Sequence, residues 1–337
     1  MLDKKNCIDL ITQLSQKFTP LDINWESTLE AGYKLFLNST STVIDIGAHS
    51  GRHSDVFINS IKCKKAYLFE PQSTLYQKLK QKYSSYDNVI VYDIALTKFK
   101  GISSFFLNKN APEESGLKER IYNNPTTKSL EQCTVSTDSL DNLFRDLEVA
   151  DNLYIKIDTE GGEMDILLGG VNLIKRQQPI ISVEYGQASY SVYGYTDKSL
   201  FEFCINAEYT IFDLFGNSIE EIDSWRRCVN SFYWDYYLVP NSQKEQFNNT
   251  LVGKVQPIIN YKQLQSQKIS IGCNDFLEIN SQLSDEQFIN NTYQQYLGRQ
   301  PDESGKMFYL TQFNTYSITR ETFLQIIINS QEYRSRN

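Results

Sequence analysis

Two short motifs combine acidic residues with glycines at the ends of apolar runs. In the first, Val-Ile-Asp-Ile-Gly-Ala-His-Ser-Gly, Asp45 precedes Gly47 and Gly51, with Ala48 and His49 between the glycines. Glycine removes the side chain where the backbone turns sharply or approaches a ligand. A dinucleotide site would favour Gly-x-Gly-x-x-Gly for its pyrophosphate. Asp-x-Gly-x-x-x-Gly suits a ligand that carries a cation and an amine, such as S-adenosylmethionine, although a purely structural glycine turn is an alternative.

The segments after this motif extend the predicted cofactor site. Glu70 and Pro71 end a second apolar run, and Glu70 follows Gly47 at close to the spacing of about 20 residues at which an acid grips a ribose diol. A third apolar run ends in Asp93, Ile94 and Ala95, where side chain and backbone could meet the adenine edge. Asp93 could equally be an ordinary turn residue.

The second motif, Ile-Lys-Ile-Asp-Thr-Glu-Gly-Gly-Glu, places three acids around two glycines at a strand end. Methyl transfer needs an aligned nucleophile and, for a hydroxyl, a group that removes its proton. Asp158 and Glu160 are the candidates for that base, because clustered carboxylates raise one another's pKa. With Glu184 they could instead hold a divalent metal. Glu163 could contact substrate or favour the N-terminus of the following helix.

Other polar and aromatic residues are candidates for substrate contact. Glu184 and Tyr185 follow a later strand. His49 and His53 flank the Gly51 turn, where they could act as a base or touch substrate. Ordinary structural roles are the alternative for both histidines. Aromatic rings beside a polar cleft can stack on the apolar face of a sugar, and they can also be wall residues: Tyr190, Tyr193 and Tyr195.

The elements that must position these residues alternate between strand and helix from residue 41 to 240. Alternation of this kind predicts an α/β fold with a mostly parallel sheet covered by helices on both faces. The last two strands lack a clear helix between them and could form an antiparallel pair at one edge. The predicted strands lie near 42–46, 66–69, 89–92, 153–157, 180–184, 210–215 and 232–239, and a helix lies near 73–83.

The rest of the chain divides into smaller parts. Residues 1–40 are predicted to form an N-terminal helical cap, and 241–274 a polar linker or extension. The polar stretch 108–130 is too long for an ordinary connection, which suggests a lid, a substrate-binding segment or disorder. Residues 275–337 are predicted to form a separate all-α unit, with a capping box at Ser284 and a stop at Gly298. Its aromatic stripes are interpreted as core.

Composition excludes several functions. At 337 residues, 40% hydrophobic and 22% charged, the chain is a folded protein of more than one domain. A net charge of -8 argues against nucleic-acid binding. No apolar run approaches the roughly 18 residues of a membrane span, and no signal peptide is evident, so cytoplasmic location is the default expectation. The six scattered cysteines and two histidines favour neither zinc nor disulfides.

Together, the motifs resemble the FkbM family of S-adenosylmethionine-dependent methyltransferases over about residues 41–240. The resemblance implies a class I methyltransferase (Rossmann-like) fold with a seven-stranded sheet, and O-methylation of sugars, glycans or polyketide-derived hydroxyls. By position, Asp45, Gly47, Gly51 and Glu70 would bind cofactor, with Asp158, Glu160 and Glu163 at the active-site strand end. The family usually has Asn at the position of His49 and Ala at the position of Gly162.

The tail resembles a different family, the DUF4214 helical module, which often accompanies glycan-related proteins. The module could instead mediate protein contacts.

The leading hypothesis is therefore an O-methyltransferase that uses S-adenosylmethionine on a sugar hydroxyl of a glycan or glycolipid precursor. A non-catalytic glycan-binding or scaffold protein with this fold is one rival. Methylation of an amine, a carboxylate or a protein side chain is another.

Overall fold

The computed structural model describes residues 23–119, 129–148, 150–231, 234–255, 257–258, 276–277, 279–314 and 319–328. The chain forms two compact units, residues 1–258 and 259–337. Within the described residues, no helix is long and apolar enough to cross a membrane.

The first unit is built on an eight-stranded sheet. Its strands are short and apolar, as expected where both faces of a parallel sheet are covered. The strands are β1 Thr42–Ile46, β2 Lys65–Phe69, β3 Val89–Tyr92, β7 Leu153–Ile157, β8 Ile180–Glu184, β9 Tyr209–Phe212, β10 Ser218–Ile219 and β11 Asp235–Pro240. The order β10-β9-β11-β8-β7-β1-β2-β3 places β1 inside the sheet, between β7 and β2 and parallel to both.

This topology confirms the predicted class and changes its strand count from seven to eight. Strands β3, β2, β1, β7 and β8 are parallel, β11 runs antiparallel to β8 and β9, and β10 is antiparallel to β9. The additional strand, β10, has only two residues and therefore leaves no periodic signal. The predicted antiparallel pair corresponds to β9 and β11, but a helix that sequence analysis missed, Ile222–Val229, lies between them in the chain.

A second, three-stranded sheet is inserted between β3 and β7. It has the order β4-β6-β5, with β4 Ile94–Leu96 parallel to β6 Leu130–Asp138, and β5 Gly101–Asn108 antiparallel to β6. Most side chains of β5 and β6 are exposed or half-buried, so they lack the apolar run that marks a buried strand. Residues 108–130, predicted to be a loop, thus contain the end of β5 and the start of β6.

Helices connect and cover these strands. The first helix, Trp25–Phe36, buries Leu29 and Tyr33, whereas residues 1–22 of the predicted N-terminal cap lie outside the described residues. The helices of this unit are α1 Trp25–Phe36, α2 Arg52–Asp55 (continued by a π-helix, Val56–Ile61), α3 Ser73–Lys82, α4 Leu140–Leu143, α5 Glu163–Leu168, α6 Val171–Gln177, α7 Gln187–Tyr190, α8 Ser199–Ala207, α9 Ile222–Val229 and α10 Lys244–Leu251.

The start of the predicted linker 241–274 is folded instead. Helix α10 buries Phe247, whose ring contacts those of Phe36, Phe212 and Tyr237, with centroid distances of 5.2–5.3 Å. Beyond it, the Ile258 carbonyl accepts from Asn24 N at 2.6 Å. Sequence analysis missed this short amphipathic helix because polar residues occupy its exposed face. The remainder of the predicted linker, 259–274, lies outside the described residues.

The second unit is helical, as predicted. Its helices are α11 Asp285–Leu297, α12 Glu303–Asn314 and α13 Arg320–Ile328. Ser284 and Gln287 form the predicted capping box, and Gly298 ends α11 in the left-handed conformation. The aromatic stripe is core, with Phe288 and Phe323 fully buried.

Candidate active site

A cavity of about 500 Å³ opens at the carboxyl ends of β1, β2, β7 and β8. Ligands bind in α/β sheets where the strand order reverses, which here is the position between β1 and β7. Both motifs found in the sequence therefore border one cavity. The size fits a cofactor together with a small acceptor group, since ligand pockets span about 300–1,000 Å³.

The turn after β1 is held tightly between its neighbours. Gly47 N and Ala48 N both donate to Phe69 O at 3.0 Å. Gly47 has φ +81°, and a Cβ there would lie 1.8 Å from Asp158 O. Only glycine can occupy this position, because the turn passes directly against the backbone that follows β7. Gly47, Ala48 and His49 all line the cavity.

Glu70 joins two of the loops that border the cavity. Its carboxylate accepts from His49 N at 2.9 Å and from Gln72 N at 2.8 Å. Burial raises the pKa of Glu70 to about 7, against the opposing effect of these hydrogen bonds, and the charge of Asp45 adds to the increase. Glu70 lines the cavity together with Pro71, so it occupies the position expected of a ribose-binding acid.

Three residues predicted to bind cofactor lie outside the cavity lining. Asp45 is buried on β1, where one carboxylate oxygen accepts from Ser54 Oγ at 2.6 Å and the other has no hydrogen-bond partner among the described residues. Gly51 caps α2 with φ +83°. Asp93 is exposed and forms the single-residue connection between β3 and β4. The neighbouring Ile94 and Ala95 do line the cavity.

The acidic turn after β7 combines an ion pair with an unusual backbone conformation. Lys156, which is 3% exposed, donates from Nζ to Asp158 Oδ2 at 2.9 Å. Burial favours the neutral amine, but the charges of Asp158, Asp45 and Glu26 raise the pKa of Lys156. Glu160 has φ +59°, which is rare for a residue with a side chain and is concentrated at functional sites. Both predicted catalytic residues, Asp158 and Glu160, line the cavity.

Glu163 holds this turn together rather than facing the cavity. Its Oε1 accepts from Thr159 N and Oγ1 at 3.1 Å and from Gly161 N at 2.9 Å. The side chain is 1% exposed, and burial raises its pKa to about 6. The position of Glu163 thus corresponds to a structural role, not to the predicted substrate contact.

Tyr185 also lies outside the cavity lining. It is fully buried, its hydroxyl donates to Thr196 O at 2.7 Å, and its ring stacks on that of Tyr190 at 4.7 Å. The Tyr195 hydroxyl donates to Asp165. Among the tyrosines predicted to stack on a sugar, Tyr193 lines the cavity. It is also close to Gly161, where a Cβ would lie 2.7 Å from its ring.

Glu184 joins the two catalytic candidates. Asp158, Glu160 and Glu184 each offer a carboxylate oxygen, and these oxygens lie within 4.8 Å of one another. The sequence predicted this grouping, because carboxyl ends of neighbouring parallel strands meet at one sheet edge. Such a group can accept protons or hydrogen bonds, and it has the ligand chemistry of a divalent-cation site.

Both ring nitrogens of His53 are already engaged. Nδ1 lies 2.9 Å from the Tyr33 hydroxyl, and Nε2 contacts the Glu26 carboxylate. Burial would raise the pKa of Glu26, but the hydrogen bond and charge of His53 lower it. His53 lines the cavity, yet no nitrogen remains to take a proton from an acceptor. The predicted base role is therefore inconsistent with its geometry.

Sequence analysis missed several residues that line the cavity. Lys156 could have been predicted from the sequence, since it is the one charged residue of an otherwise apolar strand. Glu26 could not, because it comes from a helix far away in the sequence. The connection between β5 and β6 also contributes, and it is joined to the loop after β2 by Gln72 Nε2, which donates to Pro112 O at 3.1 Å. The missed residues include Glu26, Arg52, Gln72, Phe105, Glu113, Leu117 and Lys156.

The methyltransferase FkbM domain matches residues 45–232, more than half of the chain. The chain belongs to the FkbM methyltransferase family. Membership makes the first unit of this FkbM protein a methyltransferase domain whose donor is S-adenosylmethionine. The domain of unknown function DUF4214 matches residues 271–337. No curated protein matches the sequence.

Similar solved structures include the methyltransferase FkbM from Methylobacillus flagellatus KT and SMU.1697c, a putative methyltransferase from Streptococcus mutans in complex with SAH. The first is 15% identical, with a TM-score of 0.37, and the match covers 69% of this chain and 59% of that chain. The second is 10% identical, with a TM-score of 0.34, and the match covers 64% of this chain and 96% of that chain.

Proposed function

We propose that this FkbM protein transfers a methyl group from S-adenosylmethionine to a hydroxyl of a sugar in a glycan, glycolipid or related precursor. The observation that carries the proposal is the convergence of Asp158, Glu160 and Glu184 in the same cavity as the Glu70 loop. One end of the cavity thus has the chemistry of donor binding, and the other has carboxylates suited to an acceptor hydroxyl.

The residues around Glu70 fit the donor. A buried carboxylate with two backbone hydrogen bonds is held rigidly, so it can accept from both hydroxyls of a ribose. Ile94, Ala95 and Phe105 supply an apolar wall for a flat base. When bound, S-adenosylmethionine supplies a methyl carbon attached to a cationic sulfur. The sulfur leaves as a neutral thioether when the acceptor oxygen forms its bond to that carbon.

The carboxylates at the other end act on the acceptor. As the acceptor oxygen gains the methyl group, its hydroxyl proton passes to Asp158 or Glu160. Tyr193 borders the same region, and a tyrosine ring packs well on the apolar face of a sugar. Acid-rich surroundings favour neutral hydroxyl groups over anionic acceptors.

Isothermal titration calorimetry with S-adenosylmethionine tests the donor site. Glu70→Ala should weaken binding about 10-fold to 100-fold, because hydrogen bonds to a charged group contribute about 1.5–3 kcal/mol. Affinity of the unaltered protein should rise from pH 6 to 8, since the pKa of Glu70 is about 7 and its ionised form accepts both hydroxyls. Glu202→Ala, at an exposed position of α8, is the matched control. If the protein binds no donor, or if Glu70→Ala binds it unchanged, the enzyme proposal fails and a non-catalytic glycan-binding protein is favoured.

Turnover measurements test the acceptor site. With a labelled methyl donor and sugar acceptors, Asp158→Asn and Glu160→Gln should each retain donor binding, and at least one should lower kcat by 100-fold or more, on the order of a lost general base. Full turnover in both variants would refute the assignment. Product mass spectra separate hydroxyl methylation from methylation of an amine, a carboxylate or a protein side chain.

The same assay tests for a metal. We propose Asp158, Glu160 and Glu184 as the ligands if a divalent cation takes part. Activity that is lost with a chelator and restored by Mg²⁺ would support the cation, whereas chelator-resistant turnover would leave the carboxylates as proton acceptors alone.

A further inference from the structure

Lys156 is a buried cation on β7, an inner strand of the sheet, two residues before Asp158. In register it lies between Asp45 of β1 and Ser182 of β8, both of which are buried. It also lines the cavity. A lysine is almost never fully buried unless it is paired, so the sheet must retain this ammonium for a specific contact.

That contact is with Asp158. The ammonium holds Oδ2 at 2.9 Å. Among the described residues, no donor bonds to Oδ1, although the Asp158 side chain is 31% exposed and borders the cavity. One carboxylate oxygen is therefore fixed by the protein, and the other is left for a ligand.

The other polar groups near Lys156 make different contacts. Asp45 Oδ2 accepts from Ser54 Oγ, while Asp45 Oδ1 is buried with no hydrogen-bond partner among the described residues. Glu26 contacts His53 Nε2, and Ser182 Oγ lies 2.6 Å from the Tyr154 hydroxyl. The described side-chain hydrogen bond of Lys156 goes to Asp158.

We propose that Lys156 is a positioning residue that fixes the Asp158 carboxylate with Oδ1 toward the acceptor hydroxyl. The inference rests on the proposed function, in which Asp158 serves the acceptor. Lys156 does not itself receive the proton. It restricts the rotation of Asp158, so that an acceptor oxygen meets an oriented carboxylate rather than a mobile one.

The first experiment is structural and needs no acceptor. Crystal structures are compared for the unaltered protein and Lys156→Met, which keeps an unbranched side chain of similar size and removes the ammonium group. We expect the Asp158 side chain to leave its original rotamer while the Glu163-bound turn stays in place. An unmoved Asp158 in Lys156→Met would overturn the proposal, whether or not any sugar is methylated.

The second experiment is a kinetic double-mutant cycle with Lys156→Met, Asp158→Asn and the double variant. Lys156→Met should lower kcat about 100-fold, as expected for a misplaced catalytic group, with calorimetric donor affinity within about threefold of the original. The double variant should lose no more than Asp158→Asn alone, because Lys156 acts through Asp158. Additive losses, or unchanged kcat in Lys156→Met, would contradict the proposal.

Two variants guard against a folding artefact. The double variant removes a positive and a negative charge together, so the local net charge stays the same. It can therefore be studied even if Lys156→Met alone fails to fold. Lys98→Met is the matched control, since Lys98 pairs with Asp165 at 3.0 Å outside the cavity lining. It should leave kcat and donor affinity unchanged. Failure of the unaltered protein to methylate sugars would reject the proposed function, while the crystallographic comparison would still decide the role of Lys156.

Discussion

At the scale of single residues, environment divides the acids of one short motif into different roles. Asp158 is half-exposed and paired with Lys156, whereas Glu163 is buried and accepts three hydrogen bonds from its own turn. Sequence could locate the acids, because they follow a predicted strand. It could not separate their roles, since those depend on which way the turn directs each side chain.

Glu163 offers a test of this division through stability. The described side-chain hydrogen bonds of Glu163 go to Oε1. Its Oε2 is buried and has no hydrogen-bond partner in the part of the chain that the structure describes. Glu163→Gln retains the accepting oxygen and removes the buried charge. Because the folded pKa of about 6 lies above the ordinary 4.5, ionisation destabilises the folded state progressively from about pH 4.5 to 6.

The free energies of unfolding of Glu163→Gln and of the unaltered protein should differ in a way that depends on pH. Above pH 6 Glu163→Gln should be more stable than the unaltered protein, by up to about 2 kcal/mol, and near pH 4 the two should be equal. Denaturant unfolding at both pH values measures this. Glu163→Ala, which removes the acceptor, should be destabilised at both. A Gln variant destabilised above pH 6 would show that the negative charge itself holds the turn.

At the scale of elements, the cavity depends on two turns that touch through their backbones. Gly47 lies against the Asp158 carbonyl, so the ends of β1 and β7 are locked together. Gly47→Ala adds both a left-handed strain and a steric clash. We expect a loss of several kcal/mol in unfolding free energy, and weaker donor binding because the turns must separate.

Gly194→Ala is the matched control for that substitution. Gly194 has φ +82°, nearly the same as Gly47, but no atom within 4 Å of an added Cβ. It should cost only about 1–2 kcal/mol, the conformational term alone. Equal losses in the two variants, measured by denaturant unfolding, would mean that the contact between the turns contributes nothing.

Elements were predictable where burial leaves a strong pattern. Strands β1, β7 and β8 read as apolar runs because both faces are covered. Strands β5 and β6 did not, because they form a small sheet with solvent on much of its surface. That sheet supplies Phe105 to the cavity, so the cavity wall could not be completed from sequence.

At the scale of the whole molecule, the described lining of the cavity comes from the first unit. Among the residues that the structure describes, those that line the cavity lie within residues 1–258. Pairing of an FkbM domain with a DUF4214 domain was visible in the sequence, but the extent of the first unit was not. Helix α10, at the start of a stretch predicted as linker, fills a gap between α1 and the sheet with Phe247.

Two truncations test this boundary. A chain that ends at Ile258 retains α10 and the hydrogen bonds between Ile258 and α1, so it should fold and bind S-adenosylmethionine with the affinity of the full chain. A chain that ends at Pro240 loses the buried Phe247 and Leu251, each worth about 1.5–3 kcal/mol, and exposes the aromatic rings beneath. It should unfold at a markedly lower temperature or fail to fold.

Thermal unfolding and calorimetry on both chains measure the difference. Equal stability of the two would place α10 outside the folded unit, whereas loss of donor binding in the chain that ends at Ile258 would show that residues 259–337 are needed to hold the site.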